Sequence, residues 1–150
     1  MYRRGHMGLT LLILSPFMKS FTDLFGDIYS SVTFIVLSTL FSVLPDIDLR
    51  IGIKHRGATH SITLAILLSV ILCYIFYIIN LNMLFGLSAF IGITSHLIGD
   101  LITYRSFAPF YPFSKKKFSL KIVKSENRFI NDALFLLGAL VFSYEFLHNL

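Results

Sequence analysis

The sequence predicts an all-α protein, a polytopic membrane helix bundle with four to five membrane segments. Three observations carry this. The chain is 55% hydrophobic and only 14% charged, against about 25% charged in an ordinary soluble domain. A soluble fold of this size would lack the polar surface to cover itself, and a mean hydropathy of +0.76 points the same way. Several apolar runs approach the ~20 residues that a bilayer crossing takes. The length, 150 residues, corresponds to one domain spanning 1–150.

The first candidate segment, "MGLTLLILSPFM" (7–18), is short and is interrupted by Pro16, which cannot donate a backbone hydrogen bond. Arg3 and Arg4 precede it as in a signal peptide, but no small-x-small cleavage site follows in "SPFMKS". It therefore reads as an uncleaved first membrane segment. The second, "IYSSVTFIVLSTLFSVLP" (28–45), and the third, "SITLAILLSVILCYIFYII" (61–79), carry no charge. The fourth (81–103) is apolar except for His96 and Asp100, and the fifth (129–150) carries Asp132 and Glu145. Cys73, the lone cysteine, lies in the third segment and reads as a small packing residue.

With five crossings, every strongly basic stretch falls on one side. These are Arg3 and Arg4, then Arg50, Lys54 and Arg56, then Arg105 through Arg128 with five lysines between them. The positive-inside rule places that side, and the N-terminus, in the cytoplasm. Within 104–128, "APFYPFSKKKFSL" reads either as an ordered segment along anionic headgroups or as a solvated basic loop that fixes topology.

Ionisable residues at membrane depth are costly and mark functional sites by default. His96 and Asp100 are four apart, so on a helix they share a face and can chelate one metal ion. A simple hydrogen bond between them is the plain alternative. In "LPDID" (44–48), Asp46 and Asp48 can aim hard oxygen donors at one cation, or merely follow the end of a helix. "HRGATHS" (55–61) holds His55, Arg56 and His60, with Gly57 marking a turn and Thr59 or Ser61 positioned to cap the next helix. His6 stands at the start of the first segment.

On the five-crossing arrangement all of these reach the same membrane face. Four of the five histidines take part, and only His148 falls at the opposite side. Imidazoles with carboxylates suit zinc, with manganese or iron as other options. No cysteine is close by, as a structural zinc site would favour, so a catalytic site is expected. Arg56 offers a fork for an anionic group.

The ordered set GH…LPDID…HRGxTHS…SHLxxD resembles the YdjM-type family of bacterial and archaeal inner-membrane proteins. Members are described as metal-dependent hydrolases, one of them as LexA-binding. The likeness runs from His6 to about Pro112, and "SENRFIND" (125–132), with Glu126, resembles the polar lead-in to that family's last helix. The family is in turn distantly similar to the all-helical superfamily of zinc-dependent phospholipase C and single-strand-specific nucleases. The resemblance implies a zinc site from Asp46, His60 fourteen residues later, and the His96-x-x-x-Asp100 pair, with His6 matching an early histidine ligand. The superfamily's further His-x13-His-x-x-x-Glu ligands are missing after Asp100, so the likeness does not supply a three-zinc site.

These readings lead to a membrane-embedded metal-dependent hydrolase acting on a phosphate ester of a lipid or lipid-linked substrate at the cytoplasmic face. Metal ligands are expected at His6, Asp46, His60, His96 and Asp100, and catalytic support at Asp48, His55 and Arg56. The rival is a non-catalytic membrane protein whose metal or polar network knits the helices, with a basic face that recruits a regulatory protein. A transporter would gather its ligands at the midplane rather than at one face. Membrane topology accounts for the +5 charge more directly than nucleic-acid binding does.

Overall fold

The computed structural model describes residues 1–48 and 57–150. His55 and Arg56 lie outside the described residues. The chain begins with α1 (Arg3–Leu14), which passes through a 3-10 turn (Ser15–Phe17) carrying Pro16 into α2 (Met18–Phe25). Gly26, at φ 84°, closes α2 in the left-handed conformation that favours glycine. Asp27 caps the next helix, α3 (Ile28–Phe41), accepting from the Ser30 amide at 2.8 Å. A 3-10 turn (Leu44–Ile47) follows with Pro45 in its first turn. Ser61 caps α4 (Ile62–Ile78), accepting from the Leu64 amide at 3.2 Å. A short 3-10 turn (Met83–Gly86) leads into α5 (Leu87–Ile102), and α6 (Arg128–His148) is last.

The protein is all-helical among the described residues, apart from two isolated backbone bridges in the α5–α6 connection. Among the described residues, three stretches are long and apolar enough to cross a membrane: Ile28–Ile47, Met83–Leu101 and Arg128–His148. Ile62–Ile78 is a shorter apolar helix. The outward faces of α4 and α6 carry exposed Leu67, Val70, Tyr74, Leu136, Leu140 and Leu147. Water would penalise that surface by about 25 cal/mol per Å², and hydrocarbon does not. The first segment starts earlier than its apolar run suggests, because the helix opens at Arg3 and takes His6 into its second turn.

Helix α5 is the central element, packed against α1, α3 and α4. Its buried positions include Ser88, Ala89, Gly92, Ser95 and Gly99, small residues that let neighbouring backbones approach. A Cβ at Gly92 would overlap the Ser38 carbonyl of α3. Helices α1 and α6 meet in the same way, since a Cβ at Gly8 would collide with the backbone at Leu134 and one at Gly138 with Gly8. Several buried hydroxyls bond the carbonyl one turn earlier on their own helix. Ser38 Oγ donates to the Phe34 carbonyl at 2.9 Å and Thr39 Oγ1 to the Ile35 carbonyl at 2.8 Å. Cys73 lies beside Gly86, where its backbone leaves no room for a side chain.

The α5–α6 connection is ordered rather than a loose basic loop. Phe107 and Phe118 exchange backbone hydrogen bonds at 3.2 and 2.9 Å, and the Leu120 amide donates to the Leu101 carbonyl at 2.7 Å. Pro109 accepts from the Ile62 amide at 2.8 Å, so the segment closes over the start of α4 and the end of α5. Asn131, 1% exposed, ties the opposite corner: its Oδ1 accepts from the Tyr2 amide at 2.9 Å and its Nδ2 donates to the Asn127 carbonyl at 2.7 Å.

Candidate metal centre

The ends of α1, α3, α4 and α5 bring their ionisable residues to one place. His6 comes from the second turn of α1, Asp46 from the 3-10 turn after α3, His60 from the residue before the Ser61 cap, and His96 and Asp100 from the last turns of α5. All three imidazoles are fully buried, Asp100 is 1% exposed and Asp46 8%.

The geometry is that of donors facing a common centre. His60 Nε2 lies 3.6 Å from Asp46 Oδ1 and 3.6 Å from Asp100 Oδ2. His96 Nε2 lies 3.8 Å from each of the same two oxygens. These separations are too long for hydrogen bonds. Two donors about 2.1 Å from one tetrahedral ion are about 3.4 Å apart, so each of these four imidazole–carboxylate separations is within a few tenths of an ångström of the spacing of two ligands on one ion. His6 Nε2 approaches the other Asp100 oxygen, Oδ1, at 3.6 Å, and the Met1 amino group reaches that oxygen at 2.9 Å. Two overlapping groups, His6–Asp46–His96 and His60–His96–Asp100, each place one ligand atom per residue within 4.8 Å of the others and could hold a metal ion.

The protonation pattern supports a cation there. His96 Nδ1 is 2.7 Å from the Ser42 carbonyl, which can only accept, so Nδ1 carries the proton. Nε2 is then a bare lone pair, buried and without a hydrogen-bond partner among the described residues. It faces two carboxylates. Lone pair against carboxylate is repulsive unless a positive charge stands between them. The Nδ1–carbonyl bond is itself the orientation that metal-ligating histidines use.

Packing fixes the rings. His6 stacks on His96 with centroids 3.7 Å apart at 15°, and His60 meets His96 edge-on at 4.9 Å. Gly99 makes room for His6, because a Cβ there would lie 3.0 Å from His6 Nδ1. Asp48 stands on the outer side of His60, with Oδ2 3.4 Å from Nδ1, and it accepts a hydrogen bond from Thr59 Oγ1 at 2.8 Å. Its place is thus beside the ring that carries Nε2 toward the centre. Glu126 is elsewhere, in an exposed ion pair with Arg105 at 2.6 Å. His148 stacks on Tyr144 near the far end of α6.

Of three supporting residues, two have faint signals in the sequence. Gly99 could be suspected from a glycine between two ligands on one helix, and Asn131 from its place in the polar "SENRFIND". Phe107, 2% exposed and edge-on to His60 at 6.5 Å, has none.

Residues 1–148 match the YdjM inner membrane protein family. The chain belongs to that family. Its apolar helices accord with the inner-membrane location the family name carries. No curated protein and no solved structure matches the chain.

Proposed function

We propose that this YdjM-family protein is a metal-dependent hydrolase of phosphate esters on a lipid or lipid-linked substrate, working at the cytoplasmic face of the membrane. The observation that carries the reading is the four-donor set of His60 Nε2, His96 Nε2, Asp46 Oδ1 and Asp100 Oδ2, with imidazole–carboxylate separations of 3.6 to 3.8 Å, drawn from three separate stretches of chain. Two imidazoles and two carboxylates favour zinc, with manganese and iron the next candidates. A divalent ion bound there supplies Lewis-acid polarisation of a phosphoryl oxygen and lowers the pKa of water toward about 7.

The chain's own residues do the rest. Ser42 and the Asp48–Thr59 pair hold His96 and His60 in the orientations that point Nε2 inward. His6 presents a further donor to Asp100 Oδ1, placing it to support a second ion. Asp46, the least buried of the group, lines a cavity of about 210 Å³ through which a substrate oxygen can approach. Arg56 is proposed to bind an anionic group of the substrate, and His55 to give catalytic support or hold a second ion, from their sequence positions alone.

A lipid substrate is supported by an apolar crevice of about 290 Å³, separated from the centre by Phe107, whose ring centroid lies 6.5 Å from that of His60. Phe107, edge-on to His60, forms one wall, and Leu97, the neighbour of His96 in sequence, another. Ile98 and Phe110 on its rim are about half exposed and would meet hydrocarbon. The test is hydrolysis. Detergent-purified protein reconstituted with zinc or manganese is given phosphatidate, phosphatidylglycerol phosphate and a polyprenyl phosphate. Phosphate or headgroup release that is lost in His60→Ala supports the reading. No release from any ester class by metal-loaded protein contradicts it and leaves the metal as a structural tie between helices.

A further inference from the structure

Outside the metal centre, the strongest feature is a basic depression where the amino ends of α1 and α6 meet. Its volume is about 530 Å³, and Tyr2, Arg3, Arg4, Arg128 and Asp132 line it. Asp132 accounts for one of the three guanidinium groups, facing Arg4 at 3.4 Å. Among the described residues, no carboxylate lies within ion-pair distance of Arg3 or Arg128. No side chain caps the first turn of α1, so its backbone N–H groups add to the positive potential.

Arg3 belongs to two cavities. It also lines the space that opens on Asp46, with Leu40, Val43, Leu44 and Ile47 as the apolar remainder. Leu40 and Ile47 are 58% and 45% exposed. A guanidinium therefore stands between an anion-attracting depression and a cavity that opens on Asp46 along an exposed apolar wall.

We propose that Arg3 and Arg128 bind the phosphate of a phosphomonoester lipid headgroup of phosphatidate type in the basic depression, beside the Asp46 cavity that Arg3 also lines. The apolar wall selects a lipid over free phosphate, because its chain can lie on Leu40 and Ile47 while the phosphate meets the guanidinium forks. That the bound ester is then hydrolysed rests on the function proposed above. The binding does not.

The experiment is a titration of the full-length protein in detergent with dihexanoyl phosphatidate. It is run on EDTA-stripped and zinc-loaded samples, with dihexanoyl phosphatidylcholine and inorganic phosphate as parallel probes. The variants are Arg3→Gln/Arg128→Gln and, as a control for general surface charge, Lys115→Gln/Lys116→Gln/Lys117→Gln. Both arginines are exposed, so the fold is expected to survive, and Arg3→Lys/Arg128→Lys keeps the charge while removing the fork. Phosphatidate should bind the stripped protein, roughly tenfold more weakly in the arginine-to-glutamine variant. It should bind unchanged in the lysine variant and with intermediate strength in the arginine-to-lysine variant.

Equal binding by the arginine variant, equal loss in the lysine variant, or inorganic phosphate binding as tightly as phosphatidate would each overturn the proposal. The two proposals fail separately. Arginine-dependent binding without any turnover strikes only the hydrolase, and turnover with unchanged KM in the arginine variant strikes only this site.

Discussion

Gly99→Ala moves a proposed ligand without deleting it. The added Cβ would stand 3.0 Å from His6 Nδ1 and 3.1 Å from Leu9 Cδ2. Both are a few tenths of an ångström inside ordinary contact. His6 cannot relax freely, because it is fully buried and stacked on His96 at 3.7 Å. Two terms oppose each other in stability. Overpacking costs about 1–3 kcal/mol, and replacing glycine in a helix interior returns about 1 kcal/mol. The net change should be a loss of no more than about 2 kcal/mol. Metal binding is less forgiving, since ligand distances tolerate only about ±0.2 Å. The outcome expected is a fall in zinc affinity of about tenfold or more, measured by competition with a chromogenic chelator, while circular dichroism shows the helices retained. Zinc affinity equal to wild type in folded Gly99→Ala would refute the argument that Gly99 seats His6 as a ligand.

Other predictions follow from neighbouring features. Thr59→Val removes the hydroxyl that donates to Asp48 at 2.8 Å and should weaken zinc binding about 10-fold, as read by the same competition assay, with helix content unchanged. Gly138→Val forces α1 and α6 apart at their closest approach and should lower stability by about 3 kcal/mol, visible as a lower unfolding midpoint in detergent. Asp27, bonded to the Ser30 side chain and amide, has its carboxyl held below the ordinary value. A lowered folded pKa stabilises above the unfolded value, and the contribution is lost as pH falls through the folded one. Asp27→Ala should therefore destabilise near neutral pH and lose its difference from wild type in strong acid, which melts taken from pH 7 downward can check.

Much of the candidate site's geometry was legible in the sequence because helix geometry is local. His96 and Asp100 had to share a face at a spacing of four, and they do, with Nε2 and Oδ2 3.8 Å apart. Convergence of His6, Asp46 and His60 with them followed from segment count and direction alone. The two aspartates of "LPDID" show the limit. Asp46 lies in a 3-10 turn of about three residues per turn and Asp48 is the residue that ends it, so two positions apart they point in different directions. Asp46 therefore faces His60 Nε2, while Asp48 faces Nδ1 of the same ring. No pattern in the chain could say which would do which.

The fold of the α5–α6 connection was equally hidden. It rests on main-chain bonds such as Ile62 to Pro109, between residues far apart in the chain and without a characteristic side-chain signal. The helix pairings depend on close approaches at Gly8, Gly92 and Gly138. A sequence shows the small residues there but not their partners.

The central claim is that the buried histidines and aspartates hold a divalent ion. Its most direct test is the metal content of purified, detergent-solubilised protein by elemental mass spectrometry, for wild type and His60→Ala, with circular dichroism confirming the fold of both. The account predicts near-stoichiometric zinc, or manganese or iron in its place, in the wild type and its loss in the variant. Metal-free wild type that stays metal-free after incubation with zinc, manganese and iron, with its helices intact, would contradict it.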